Sequence, residues 1–179
     1  MTGPMGVIDD MISYLESVAH DPLLYLFLLF LYSVAAAVFL PIPVEFALFL
    51  SPDTPFAAKA IVLASGKAVG SLLVFYIGYN VEEPIRRWSE KWTFFRWFVH
   101  FCEWFVTKLG YVGLFILLSI PFMSDTVVLY VFAVFNKEGK VLDMKMFALV
   151  NFLGALTRCA IVYFASGYLA DYLGIDYSI

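Results

Sequence analysis

Histidine and cysteine are scarce in this chain, two of each in 179 residues, and the scarcity removes whole classes of chemistry. His20 and His100 lie outside the long apolar runs, and the chain has no His-Glu-x-x-His, no cysteine cluster and no Gly-x-Ser-x-Gly. Metal hydrolysis and triad catalysis therefore lack their parts, and we expect no metal, no cofactor and no enzyme. Cys102 and Cys159 do not make a disulfide framework. Charge is sparse as well, 15% of residues with a net −4, so no nucleic-acid partner is expected. The first 20 residues carry Asp9, Asp10 and Glu16 where a removable signal would carry lysine or arginine, so none is expected here.

What the chain has instead is apolar length. Hydrophobic residues make up 63% and aromatics 19% of the sequence, with a mean hydropathy of +0.87. This composition belongs to integral membrane proteins. The runs 22–50, 55–79, 110–135 and 146–170 each have the length to enter or cross a hydrocarbon core, which takes about 20 helical residues. We expect an all-α, polytopic membrane protein with a single membrane domain over 22–179.

Two of the runs break themselves. Pro41 and Pro43 flank Ile42 inside the first, and Pro121 interrupts the third. A proline in a helix interior removes a hydrogen bond and clashes with the preceding turn. Each break is followed shortly by an acid, Glu45 in one case and Asp125 in the other. The runs 55–79 and 144–172 are unbroken, and Gly66, Gly70 and Gly154 on them suit close helix packing. Residues 81–109 mix nine charged residues with all four tryptophans, a composition suited to helices in the headgroup region. Residues 7–19 read as an amphipathic interfacial helix or, equally, as a soluble cap packed on the membrane domain, giving a first segment over 1–21.

The order is broken run, intact span, linker, broken run, intact span. We read an internal repeat, with 22–80 as repeat one, 81–109 as an amphipathic linker and 110–172 as repeat two. The match includes gaps, since the offset grows from 78 between Pro43 and Pro121 to 89 between Gly78 and Gly167.

Loop charges then choose a topology. If 22–51 and 110–135 are re-entrant hairpins, the linker and the 136–145 loop share one face with eight lysines and arginines, leaving the other face only Lys59. Four straight crossings would divide the same residues five against four. The positive-inside rule favours hairpins, a cytoplasmic linker and two repeats of inverted topology in a cell membrane.

Four ionisable residues lie deep in these runs: Glu45, Lys67, Asp125 and Arg158. Arg158 is 14 residues from both Met144 and Tyr172, roughly 21 Å from either end at the helical rise. Charges at that depth need partners or water, and by default they mark function. The expectation is that acids on hairpin tips pair with bases on intact helices, near Asn151 and Ser71. Lys59 is close enough to a span end to snorkel and receives no site role. Ser124 beside Asp125 reads as a cap rather than a nucleophile.

At these residues the chain resembles the DedA family, also called the VTT or SNARE-associated family. The resemblance covers roughly 30–172 and rests on Pro41-Ile-Pro43-Val-Glu45, on Gly66-Lys-Ala-Val-Gly70 through Tyr76-Ile-Gly78, on Leu109-Gly110-Tyr111 leading to Ile120-Pro121, and on Asn151-Phe-Leu-Gly154 leading to Gly167-Tyr168. It implies two opposed re-entrant hairpins and a flippase or scramblase that moves membrane lipids, phospholipid or polyprenyl phosphate, with a proton or sodium ion as coupling partner. Glu45 falls on the family's acid after the proline-rich turn. The sequence departs from the bacterial pattern at Leu118 and Ser124, where arginines flank the second proline, and at Ser33, where a further acid stands. Arg158 and Lys67 are left to supply the positive charge. Two other classes stay open at this point, an intramembrane lipid-phosphate enzyme and a non-transporting assembly protein, as does whether the chain forms a homo-oligomer.

Overall fold

The structure is a computed structural model that describes residues 21–39, 44–89, 93–121, 123–136 and 142–173, with side chains described for all of these except 79–103, 170, 171 and 173. The amphipathic segment read over 7–19 and the breaks at Pro41 and Pro43 lie outside the described residues. Among those residues every regular element is helical: α1 Pro22–Val38, a short 3₁₀ segment Val44–Phe49, α2 Phe56–Ser89, α3 Thr93–Ser119, α4 Asp125–Val134 and α5 Met144–Leu173.

Helix starts carry local signals. Asp21 caps α1, its Oδ1 accepting from the amides of Leu23 and Leu24 at 3.2 Å each, with Pro22 at the first helical position. Ser124 caps α4 by accepting from the Val127 amide at 3.4 Å. Asp143 caps α5, its Oδ2 accepting from the amides of Lys145 and Met146. Inside α3, Gly110 adopts φ 48° and ψ −133° and kinks the helix; a side chain is disfavoured at that φ. Pro121 lies in the turn between α3 and α4.

The stretch 81–109, read as an amphipathic linker, is divided between two helices. Its first part continues α2 to Ser89, and the rest begins at Thr93 as the start of α3. Glutamate and arginine at 82, 83, 86 and 87 are good helix formers at i,i+4 spacing, so backbone hydrogen bonding runs on past the change in composition. Two segments, Phe56–Gly78 and Met144–Leu169, are long and apolar enough to cross a membrane.

Contacts between elements fix their directions. α2 and α5 are antiparallel: Phe56 stacks near Tyr163 with ring centroids 4.7 Å apart, and nineteen residues on, Phe75 meets Phe147 at 5.2 Å. α1 runs parallel to α2, because Gly66 lies against Phe30 and Ser33 while Gly70 lies against Val34 and Ala37. The chain then doubles back through the 3₁₀ segment: the hydroxyl of Tyr25, near the start of α1, donates to the Ala47 carbonyl, and Lys59 Nζ donates to the Ser51 carbonyl at 2.9 Å. This first hairpin opens at the N-terminal end of α2.

The second hairpin opens at the other end. The late part of α3 runs parallel to α5, with Gly154 against Leu118 and the Asp143 amide donating to the Tyr111 hydroxyl at 2.6 Å. α4 returns alongside α2, from Asp125 beside Lys67 to Ala133 and Val134 against Gly78. The tips overlap, since Thr126 Oγ1 donates to the Ala36 carbonyl at 2.8 Å. Glycine on a long helix receives the first limb of the adjacent hairpin in both halves, at Gly66 and at Gly154. A Cβ would come 2.6 Å from Phe30 O at the first and 2.9 Å from Leu118 Cβ at the second, approaches that only glycine permits.

The buried apolar residues form two clusters. One gathers Leu114, Leu118, Leu129, Phe132 and Phe147; the other gathers Tyr25, Leu29, Leu48, Leu63 and Ala155. On α1 they meet between Ala36 and Ala37, on α2 between Ala64 and Val74, and on α5 between Val150 and Ala155. Lys67 and Asn151 lie in that gap.

Candidate functional site

Glu45 comes from the 3₁₀ segment, Lys67 from the middle of α2, Asp125 from the first turn of α4 and Arg158 from α5. All four are buried, at 4%, 1%, 9% and 1% of full exposure. They form a closed ring in which each base touches both acids. Lys67 Nζ lies 2.9 Å from Glu45 Oε1 and 2.6 Å from Asp125 Oδ2. Arg158 Nη1 lies 3.2 Å from Glu45 Oε1, and its Nη2 lies 2.6 Å from Asp125 Oδ1. The last of these is close in distance but not aligned as a hydrogen bond.

The helix directions explain why the ring closes. Side chains on an α-helix lean toward its N-terminus. On antiparallel α2 and α5, Lys67 and Arg158 therefore lean toward one another, and the space between them is filled by the acids of the two hairpins. Without such compensation each charge would be costly at this depth, since the effective penalty for burying one ion is several kcal/mol.

The surroundings are polar on the α5 side. Asn151 Nδ2 donates to the backbone carbonyl of Lys67 at 2.8 Å, and Arg158 Nη1 donates to the Met123 carbonyl at 3.3 Å. Ser71 is turned to its own helix, donating to the Ala68 carbonyl. Five atoms of the site have no hydrogen-bond partner among the described residues: Glu45 Oε2, Asp125 Oδ1, Asn151 Oδ1, Arg158 Nε and Arg158 Nη2. Unpartnered buried donors and acceptors are uncommon. Here both kinds occur in one place, which is what a site for a polar guest requires. Among the described residues no group of histidine, cysteine or acid side chains is arranged to hold a metal ion.

Lys59 differs from expectation. It is buried rather than snorkelling, because the turn 51–54 folds over it and the Ser51 carbonyl takes its ammonium. Leu118 and Ser124 stand as packing and cap residues, so neither adds charge to the ring. The sequence also gave no hint that Thr126 reaches across to Ala36, a contact between residues 90 apart. Comparison with family models, with curated proteins and with solved structures finds no match for this chain.

Proposed function

We propose that the chain is a multi-pass membrane transporter of the DedA type, a flippase or scramblase that carries lipid headgroups between leaflets. The observation that supports this most is the ring of Glu45, Lys67, Asp125 and Arg158, buried between two hairpins that open at opposite ends of the molecule. Buried ion pairs are weak stabilising devices compared with apolar packing, so four charges on and between broken helices argue for a role beyond cohesion. Discontinuous helices meeting at mid-depth are the recurring setting for substrate and ion sites in transporters. In this reading the two hairpins are halves of an inverted repeat, the 81–109 region is cytoplasmic, and Lys67 and Arg158 neutralise an anionic headgroup during passage.

Vesicles containing the purified protein and a fluorescent lipid in one leaflet test it. The wild type is expected to move the label to the other leaflet, and Glu45→Gln and Arg158→Ala to change the rate. Equal rates with and without protein would refute the reading.

A further inference from the structure

Lys59 is the buried charge that the ring does not use. It is 2% exposed, and its Nζ donates to the Ser51 carbonyl at 2.9 Å. Among the described residues every ion pair belongs to the ring, and no carboxylate pairs with this ammonium. The ring has none to spare, since its two acids already balance its two bases. A buried ammonium held by one carbonyl needs a counter-charge from elsewhere. Asp53, the acid of the turn above it, is exposed rather than folded in.

The two long helices differ at this position. Lys59 is the fourth residue of α2 and its amide bonds the Pro55 carbonyl at 3.2 Å; Phe147 is the fourth residue of α5 and its amide bonds the Asp143 carbonyl at 2.8 Å. The backbones match and the side chains do not. Phe147 is fully buried and packs on Phe75, so a phenyl ring fills the mouth of the second hairpin where the first holds an ammonium. Other donors gather there. The buried hydroxyls of Ser51 and Thr54 meet at 2.8 Å, and the amides ahead of Lys59 are those that every helix start leaves free. The lysine side chain leans toward that start. The turn itself is held lightly, the Leu50 and Thr54 amides reaching the Ala47 and Ser51 carbonyls at 3.4 Å each. An oxyanion that displaces the Ser51 carbonyl would meet the ammonium and these donors together.

We infer that Lys59, with the turn 51–54 and the start of α2, binds the phosphate of a lipid headgroup at the mouth of the first hairpin, a site apart from the ring. The mouth of the second hairpin, closed by Phe147, binds none. Phosphate brings the counter-charge that Lys59 lacks, and its oxygens suit a set of donors. Lys59 and Lys67 are eight residues apart on α2, about 12 Å at the helical rise, so a headgroup held at the first lies one step from the ring. That step rests on the transporter reading above; the binding does not. No covalent bond forms or breaks.

The test uses the full chain in detergent with radiolabelled phosphatidic acid. The wild type is expected to bind one lipid per chain that Lys59→Met, apolar and of similar length, weakens at least about tenfold, a factor that corresponds to about 1.4 kcal/mol. Diacylglycerol, which lacks the phosphate, does not compete. The inference is overturned if the variant binds as the wild type does, if the wild type binds no lipid, or if diacylglycerol competes equally. Inorganic phosphate competing as well as the lipid assigns the site to the free anion and overturns the lipid reading. Should Lys59→Met fail to fold, crosslinking of the wild type decides: a photoreactive headgroup attaches within 51–59, and attachment elsewhere counts against the site. In vesicles holding the protein in one orientation, Lys59→Met raises the half-saturating lipid fraction about tenfold for the leaflet at the first mouth and leaves the other unchanged. Equal shifts in both leaflets overturn the difference between the mouths. If the wild type moves no lipid in either direction, the transporter reading fails, while binding in detergent still decides for or against Lys59.

Discussion

The Asn151 side-chain amide donates to the backbone carbonyl of Lys67 at 2.8 Å, which ties the two long helices together at the residue that bears the buried ammonium. The tie sits at the gap between the two apolar clusters, where packing alone holds least. It fixes the level at which α2 faces α5, and with it the reach of Lys67 and Arg158 toward each other.

The ring is expected to behave as a unit. Arg158→Ala leaves two buried acids sharing one lysine and should cost about 3–5 kcal/mol. Adding Glu45→Gln removes the surplus charge, leaving a Lys67–Asp125 pair. The double variant should therefore be less destabilised than the two single changes sum to, with a coupling of about 1–3 kcal/mol. Unfolding in detergent across the four members of this cycle measures it, and strict additivity would contradict the closed ring.

Gly66→Ala should pry α1 from α2. Its Cβ would stand 2.6 Å from Phe30 O and 2.7 Å from Ser33 Cβ, and overpacking of this kind costs roughly 1–3 kcal/mol. Gly167→Ala is the matched control, because a Cβ there meets nothing within 4 Å and alanine is the better helix former. Thermal midpoints of the two variants should move in opposite directions.

Gly110→Ala separates conformational cost from crowding. There is open space for a methyl group, yet φ is +48°, so a loss of about 1–2 kcal/mol is expected from backbone strain alone. Gly110→Asn should lose about as much, since the tolerance of asparagine for positive φ is confined to ψ of about +30 to +60°, far from the −133° found here. No loss in either variant, read from the same unfolding curves, would contradict the backbone argument.

Cysteine accessibility tests the proposed topology. With Cys102 and Cys159 replaced by serine, Ser89→Cys and Lys140→Cys should react with a membrane-impermeant reagent from the same side, and Asp53→Cys from the other. Labelling of all three from one side would rule out the opposed arrangement in the membrane.

Much of the site could be read from sequence because charge inside an apolar run is conspicuous: Glu45, Lys67, Asp125 and Arg158 are the deep ionisable residues by position alone. Pairing of the acids with the bases could be read as well, but not that each base meets both acids. Sequence gives depth along a helix but neither which way it faces its neighbours nor which hairpin lies beside it, and each base meeting both acids depends on both. Lys59 was misjudged for a related reason, since its distance from the helix start is known but the fold of Ser51 to Thr54 over it is not. The apolar span read over 55–79 matches Phe56–Gly78, but the helix that carries it runs on to Ser89, because a change in composition marks a change of surroundings whereas helical hydrogen bonding continues until something breaks it.

The equal number of acids and bases in the ring has an electrical meaning. Membrane voltage acts on net charge, at about 2.3 kcal/mol per elementary charge per 100 mV. On a closed set with two of each sign it does no work when the set shifts as a whole. Were the helices to lie in a membrane as proposed, a bodily shift of the ring along the membrane normal would carry no net charge across it.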